Sequence, residues 1–121
     1  MTPLVQFFFL LPLGRNMVTF CMHESDLRKQ VIEFLEWRGY IVVFTANEFL
    51  RERFRHTKGF VKGFPDLLVL GKNGKHFFIE LKVGRNTLSP TQAEIIQKLR
   101  TFGHEVFVVY SIEQLRESLE K

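Results

Sequence analysis

Three polar residues interrupt apolar runs and are the first candidates for chemistry. Asp66 opens the run Asp66 to Leu70, and Glu80 and Lys82 sit inside the otherwise apolar run Phe77 to Val83. Between the runs, Gly71-Lys72-Asn73-Gly74-Lys75 is a strong hairpin signal. If the loop is Lys72 to Gly74, with Gly74 left-handed, Gly71 pairs with Lys75 and Asp66 lies directly opposite Glu80. Opposed residues share a face with Cβ atoms roughly 5 Å apart, and the period of two puts Lys82 on that face as well. A two-residue Asn73-Gly74 turn would instead shift the pairing by one residue and part the carboxylates. Like charges directly opposed are unfavourable. The first register therefore makes sense if a cation lies between them, and a divalent ion such as Mg²⁺, with its oxygen ligands and retained waters, fills that role.

Two further polar residues fall on apolar helical stripes. Glu24 precedes Leu27 and Val31 by three and seven residues, which directs it toward the buried face near one end of its helix. Gln92 precedes Ile95, Ile96 and Leu99 in the same way, and polar groups at such positions need partners. Each has a plainer reading. Glu24 is also an acid favoured by a helix N-terminus, and Glu80 with Lys82 could be an ion pair on an edge strand.

The elements that must carry these residues are legible. Leu27, Val31, Phe34 and Leu35 at helical spacing, followed by Gly39, predict a helix from about Glu24 to Arg38. Tyr40 to Thr45 reads as a buried strand, Ala46 to Gly63 as a long loop, and Asp66 to Leu70 and His76 to Val83 as the hairpin strands. Ser89-Pro90 starts a helix with the stripe Ile95, Ile96, Leu99 and Phe102, which Gly103 ends. Glu105 to Tyr110 is a further strand, and Ser111 with Gln114 forms a capping box for a last helix to about Glu120. The expected architecture is α/β, in the order α-β-β-β-α-β-α, with Phe77, Phe78, Phe102 and Phe107 in the core and Trp37 in either core or interface.

With 121 residues, 45% of them apolar, the chain has room for one folded domain. Its single cysteine, Cys21, excludes a disulfide framework and a cysteine-rich zinc site and suits a reducing, cytoplasmic setting. The apolar run Pro3 to Leu13 is too short to span a membrane. Residues 1–21 read as an N-terminal extension, a mis-assigned start or a dimer arm, and residues 22–121 as the functional domain. The formal charge of +4 is concentrated: Arg51, Arg53, Arg55, Lys58 and Lys62 oppose only Glu52 in that stretch, and the remainder of the chain balances. Such a block suits a polyanion, although it could equally be a solvated loop. The four histidines, His23, His56, His76 and His104, show no metal-ligand spacing.

Taken in order, Glu24, Gly63-Phe64-Pro65-Asp66, Glu80-Leu81-Lys82 and Ser89-Pro90-Thr91-Gln92 resemble the PD-(D/E)xK nuclease signature. The longer string from Glu24 to Leu115 resembles the VRR-NUC branch, which includes stand-alone phage and bacterial domains and the C-terminal domain of the Fanconi anaemia-associated nuclease. Phe64 is bulkier than the small aliphatic residue expected at its position. The resemblance implies a restriction-endonuclease-like fold with a central mixed sheet. It also implies a metal-dependent endonuclease acting on DNA, with a branched substrate such as a Holliday junction or flap, and a homodimer with no small-molecule cofactor. On it, Asp66 and Glu80 bind Mg²⁺ or Mn²⁺ together with Glu24 and the Leu81 carbonyl. Lys82 orients or activates the attacking water, Gln92 completes the site, and the basic residues Arg51 to Lys62 grip phosphates. A non-catalytic DNA-binding or recruitment subunit is the alternative.

Overall fold

The computed structural model describes residues 23–45 and 53–121. The expected extension over residues 1–21 and the basic residue Arg51 lie outside them. Among the described residues, three complete helices and four strands follow in the expected order: α1 (Glu24–Trp37), β1 (Ile41–Phe44), β2 (Leu67–Leu70), β3 (His76–Leu81), α2 (Pro90–Thr101), β4 (Val106–Val109) and α3 (Ile112–Leu119). The strands form one mixed sheet in the order β1-β2-β3-β4, antiparallel except for the parallel pair β3 and β4. That parallel pair is joined through α2, as a crossover requires.

The β2–β3 hairpin adopts the three-residue register. Leu67 faces Ile79, Leu70 faces His76, and the Gly71 N–H donates to the Lys75 carbonyl at 2.7 Å. Lys72–Gly74 is a short 3-10 turn in which both Asn73 (φ 59°) and Gly74 (φ 77°) are left-handed, a conformation that asparagine and glycine tolerate better than other residues.

Alternation along the strands divides the core in two. Leu67, Val69, Phe77, Ile79, Leu81 and Val109 face one side, where Leu27, Val31 and Leu35 of α1 and Ile112 and Leu115 of α3 cover them. Phe78 and Val106 face the other side, with Ile96 of α2 and the half-buried Phe64, Leu68, Leu88, Leu99 and Val108. Phe64 is accommodated by an edge-to-face contact with Phe78, ring centroids 5.3 Å apart, so its bulk fills part of this second cluster.

Three expectations need correction, and the alternatives for Trp37 narrow to the one outside the core. β1, at one edge of the sheet, is largely exposed rather than buried, because of its residues only Val42 packs against the core cluster. Phe102 is 67% exposed: it is the C-cap of α2, beyond the last turn that carries the stripe onto the sheet. Trp37, at the end of α1, is 82% exposed and lies outside the core. Ser111 caps α3 by accepting from the Gln114 N–H, but the Gln114 side chain does not return to Ser111. It accepts from the Tyr110 N–H and donates to the Val108 carbonyl, tying α3 to the end of β4.

Candidate active site

The register places Asp66, one residue before β2, opposite Glu80, and both are buried, at 7% and 1% exposure. Their parity puts them on the α2 side of the sheet, where β3 presents Phe78, then Glu80, then Lys82. The Asp66 Oδ2 accepts from the Leu81 N–H at 2.8 Å. The Phe78 and Lys82 N–H groups instead bond toward β4, to the carbonyls of Glu105 and Val109. Leu81 therefore turns its backbone groups toward Asp66, and its carbonyl shares that edge, because N–H and C=O of one strand residue project together.

Gln92 reaches the pair through its helix cap. Ser89 and Gln92 form a reciprocal capping box: the Gln92 N–H donates to Ser89 Oγ at 3.1 Å, and the Ser89 N–H donates to Gln92 Oε1 at 2.9 Å. Only the amide oxygen can accept from Ser89, so the Nε2 end is turned outward, and it donates to Glu80 Oε2 at 3.0 Å. One side chain thus caps α2 and binds the buried acid. Residue types and spacing indicate the cap and the site glutamine separately; that one residue performs both tasks appears only in three dimensions.

Lys82 approaches the same oxygen. Its Nζ stands 3.9 Å from Glu80 Oε2. The other oxygen, Glu80 Oε1, is buried with no hydrogen-bond donor among the described residues. An ionised oxygen in that position is costly. Burial, with Asp66 next in size, pushes the Glu80 carboxyl from 4.5 up to about 8; Glu24 adds slightly, and Lys82 opposes the shift without reversing it. Near neutral pH the metal-free carboxyl therefore keeps a proton.

Glu24 is exposed at the first position of α1, with the buried stripe beginning only at Leu27. It therefore stands one turn before the packed stripe rather than buried within it. It is still near enough for its charge to act on Glu80. No group of three or more His, Cys, Asp or Glu among the described residues could hold a metal ion by itself. What the site offers is two buried carboxylates and the Leu81 carbonyl. That set suits Mg²⁺ or Mn²⁺, which are held by one or two carboxylates and keep several waters, and the donorless Glu80 Oε1 is the atom a cation would satisfy.

Gly63 opens the Gly63-Phe64-Pro65-Asp66 motif, and its physical role emerges from the packing around it. Its φ is +86°, and an added Cβ would stand 2.8 Å from Thr91 Cγ2 and 3.0 Å from the Thr91 backbone. Glycine here lets the segment that leads through Asp66 into β2 run against the first turn of α2, at the residue before Gln92. Arg53, Arg55, Lys58 and Lys62 are all exposed in the stretch that ends at this contact, with Lys62 adjacent to Gly63. His76 and His104 lie together, 5.7 Å between ring centroids, at the opposite end of β3 from Glu80. No helix among the described residues is long and apolar enough to cross a membrane.

Comparison with known proteins bears on the family and the fold. The family model for the VRR-NUC domain matches residues 20–113. A solved structure described as a VRR_NUC domain is 30% identical and superposes with a TM-score of 0.65, covering 80% of this chain and 94% of that one. No curated protein matches the chain. The family model spans most of the chain, which therefore belongs to the VRR-NUC family, a family of nuclease-type domains.

Proposed function

We propose that this protein is a metal-dependent DNA endonuclease that hydrolyses phosphodiester bonds in branched DNA. The observation that carries the reading is the buried Glu80: one oxygen bound by Gln92 and approached by Lys82, the other without a donor, opposite a second carboxylate. A structural protein gains nothing from this arrangement, which costs desolvation and repulsion.

Asp66, Glu80 and the Leu81 carbonyl would hold Mg²⁺ or Mn²⁺, with Glu24 at the mouth contributing charge or a water-mediated contact. The chemistry supplied by the bound ion is Lewis-acid polarisation of the phosphodiester and a lower pKa for water. Lys82 places a cation beside Glu80, where it can orient the nucleophilic water or offset charge developing on the phosphate. Gln92 keeps Glu80 Oε2 in place, so the carboxylate presents Oε1 to the cation. The exposed Arg53, Arg55, Lys58 and Lys62 grip the phosphate backbone. Backbone contacts without a base-reading helix favour recognition of DNA shape over sequence. A two-fold dimer would present two such sites to a symmetric junction.

The test is cleavage of labelled four-way junction, flap and linear duplex in Mg²⁺, Mn²⁺ or EDTA, with Lys82→Ala alongside. Metal-dependent cutting of branched DNA, lost in the variant, is the expected result. Binding without cutting in any metal would favour the recruitment subunit. Replacing Arg53, Arg55 and Lys58 with alanine should weaken binding and lower the salt slope by about one for each phosphate no longer neutralised. An unchanged slope would make the block a solvated loop.

A further inference from the structure

The carboxylate of Asp66 is aimed by the backbone on either side of it, and one residue holds both sides. Thr45, which follows β1, donates its backbone N–H to the Asp66 carbonyl at 2.8 Å. Its hydroxyl donates to the Pro65 carbonyl. The Pro65 carbonyl belongs to the planar peptide unit before the Asp66 Cα, and the Asp66 carbonyl to the unit after it. Tying both planes sets φ and ψ of Asp66, and therefore the direction of its Cα–Cβ bond. The remaining side-chain freedom is taken up by the bond from the Leu81 N–H to Oδ2.

The backbone bond alone would not achieve this. Thr45 faces Asp66 as the β1–β2 register continues past Phe44 and Leu67, so any residue at position 45 with an N–H could donate it. Pro65 lies outside β2, where regular pairing has ended, and it is a hydroxyl that reaches its carbonyl. Threonine joins a β-branched shape suited to a strand end with a side chain that readily bonds nearby backbone.

We infer that Thr45 is a positioning residue: through the Pro65 and Asp66 carbonyls it holds the Asp66 carboxylate opposite Glu80 without touching substrate. The inference rests on Asp66 belonging to the active site as proposed above. It separates two variants of similar size. Thr45→Val keeps the shape and the N–H but loses the hydroxyl, and Thr45→Ser keeps the hydroxyl.

The experiment reads the metal-free protein first. Amide hydrogen exchange followed by NMR should show Leu81 exchanging about tenfold faster in Thr45→Val, with Ile79 unchanged, because the acceptor of the Leu81 N–H has lost its aim. Mn²⁺ binding by calorimetry should weaken about tenfold, as for other groups that orient metal ligands. In cleavage, kcat should fall by a similar factor with KM for DNA unchanged. Thr45→Ser should stay within about twofold of wild type on each measure. Should Thr45→Val fail to fold, Thr45→Ala against Thr45→Ser makes the same comparison. Unchanged Leu81 exchange and Mn²⁺ affinity in the hydroxyl-free variant, or equal damage in Thr45→Ser, would overturn the inference. A wild type that cuts no DNA, while Leu81 protection still follows the hydroxyl, would sink the nuclease reading and leave the positioning role standing.

Discussion

The two faces of β3 obey different requirements within six residues. On one face Phe77, Ile79 and Leu81 are fully buried in the apolar cluster under α1 and α3. On the other, Phe78 is followed by Glu80 and then Lys82, and the packing gives way to hydrogen bonds from α2. The first face stabilises the fold by removing apolar surface from water, at about 25 cal/mol per Å². The second holds a carboxylate that burial pushes up to about 8, a cost that only a bound cation or a proton relieves. Side chains alternate across a strand, so one rigid backbone can serve both purposes. The apolar face anchors the strand that the polar face uses.

The largest expected effect comes from exchanging roles between neighbours on that strand. Glu80→Gln should reduce cleavage to background in Mg²⁺. It should leave the metal-free protein at least as stable as wild type, since the amide can still accept from Gln92 and no longer needs a proton to stay neutral. Ile79→Ala should do the reverse, costing roughly 2–5 kcal/mol of stability. Cleavage assays and thermal melts in EDTA check both, and a Glu80→Gln protein as unstable as Ile79→Ala would erase the distinction between the faces.

A smaller effect tests how the polar face is closed. Gly63→Ala forces a side chain into a positive-φ position already pressed against Thr91. Strain of roughly 1–3 kcal/mol should lower the melting temperature and the cleavage rate together, because the shift falls between Asp66 and Gln92. If Gly63→Ala melts and cuts like wild type, the close approach contributes nothing to the site.

The last effect is one of pH. The folded Glu80 carboxyl titrates at about 8 against 4.5 in the reference state, so the native protein keeps a proton that the unfolded chain has released. The resulting contribution is present below about pH 4.5 and is lost as pH rises toward about 8. Metal-free wild type should therefore lose melting temperature across that window relative to Glu80→Gln. Adding Mn²⁺ should reverse the trend, since the ion displaces the proton. Parallel melting curves for the two proteins would show that Glu80 is not the titrating group.

Much of this site was legible from residue types and spacing. Period two put Glu80 and Lys82 on one face, the hairpin residues allowed a register that opposes Asp66 to Glu80, and Ser89-Pro90 marked the start of the helix that bears Gln92. Local chemistry was enough for these, because turn type, strand alternation and helix capping depend on residues only a few positions apart. Contacts between distant segments were not legible. Which hairpin register forms, that β1 lies at the sheet edge, that Glu24 sits outside the packed stripe, and that Phe102 is exposed all depend on which elements meet.

By itself the sequence determined the order of elements, the polar residues that interrupt apolar strands and helical stripes, and the concentration of positive charge before Asp66. Only the tertiary structure decided that Glu80 is left with one donorless oxygen, that the capping amide of Gln92 is turned onto the other, that Gly63 lies against Thr91, and that Thr45 grips the carbonyls flanking Asp66. The physical reason is that burial, desolvation and backbone aim are properties of several segments packed together, and no single stretch of chain carries them.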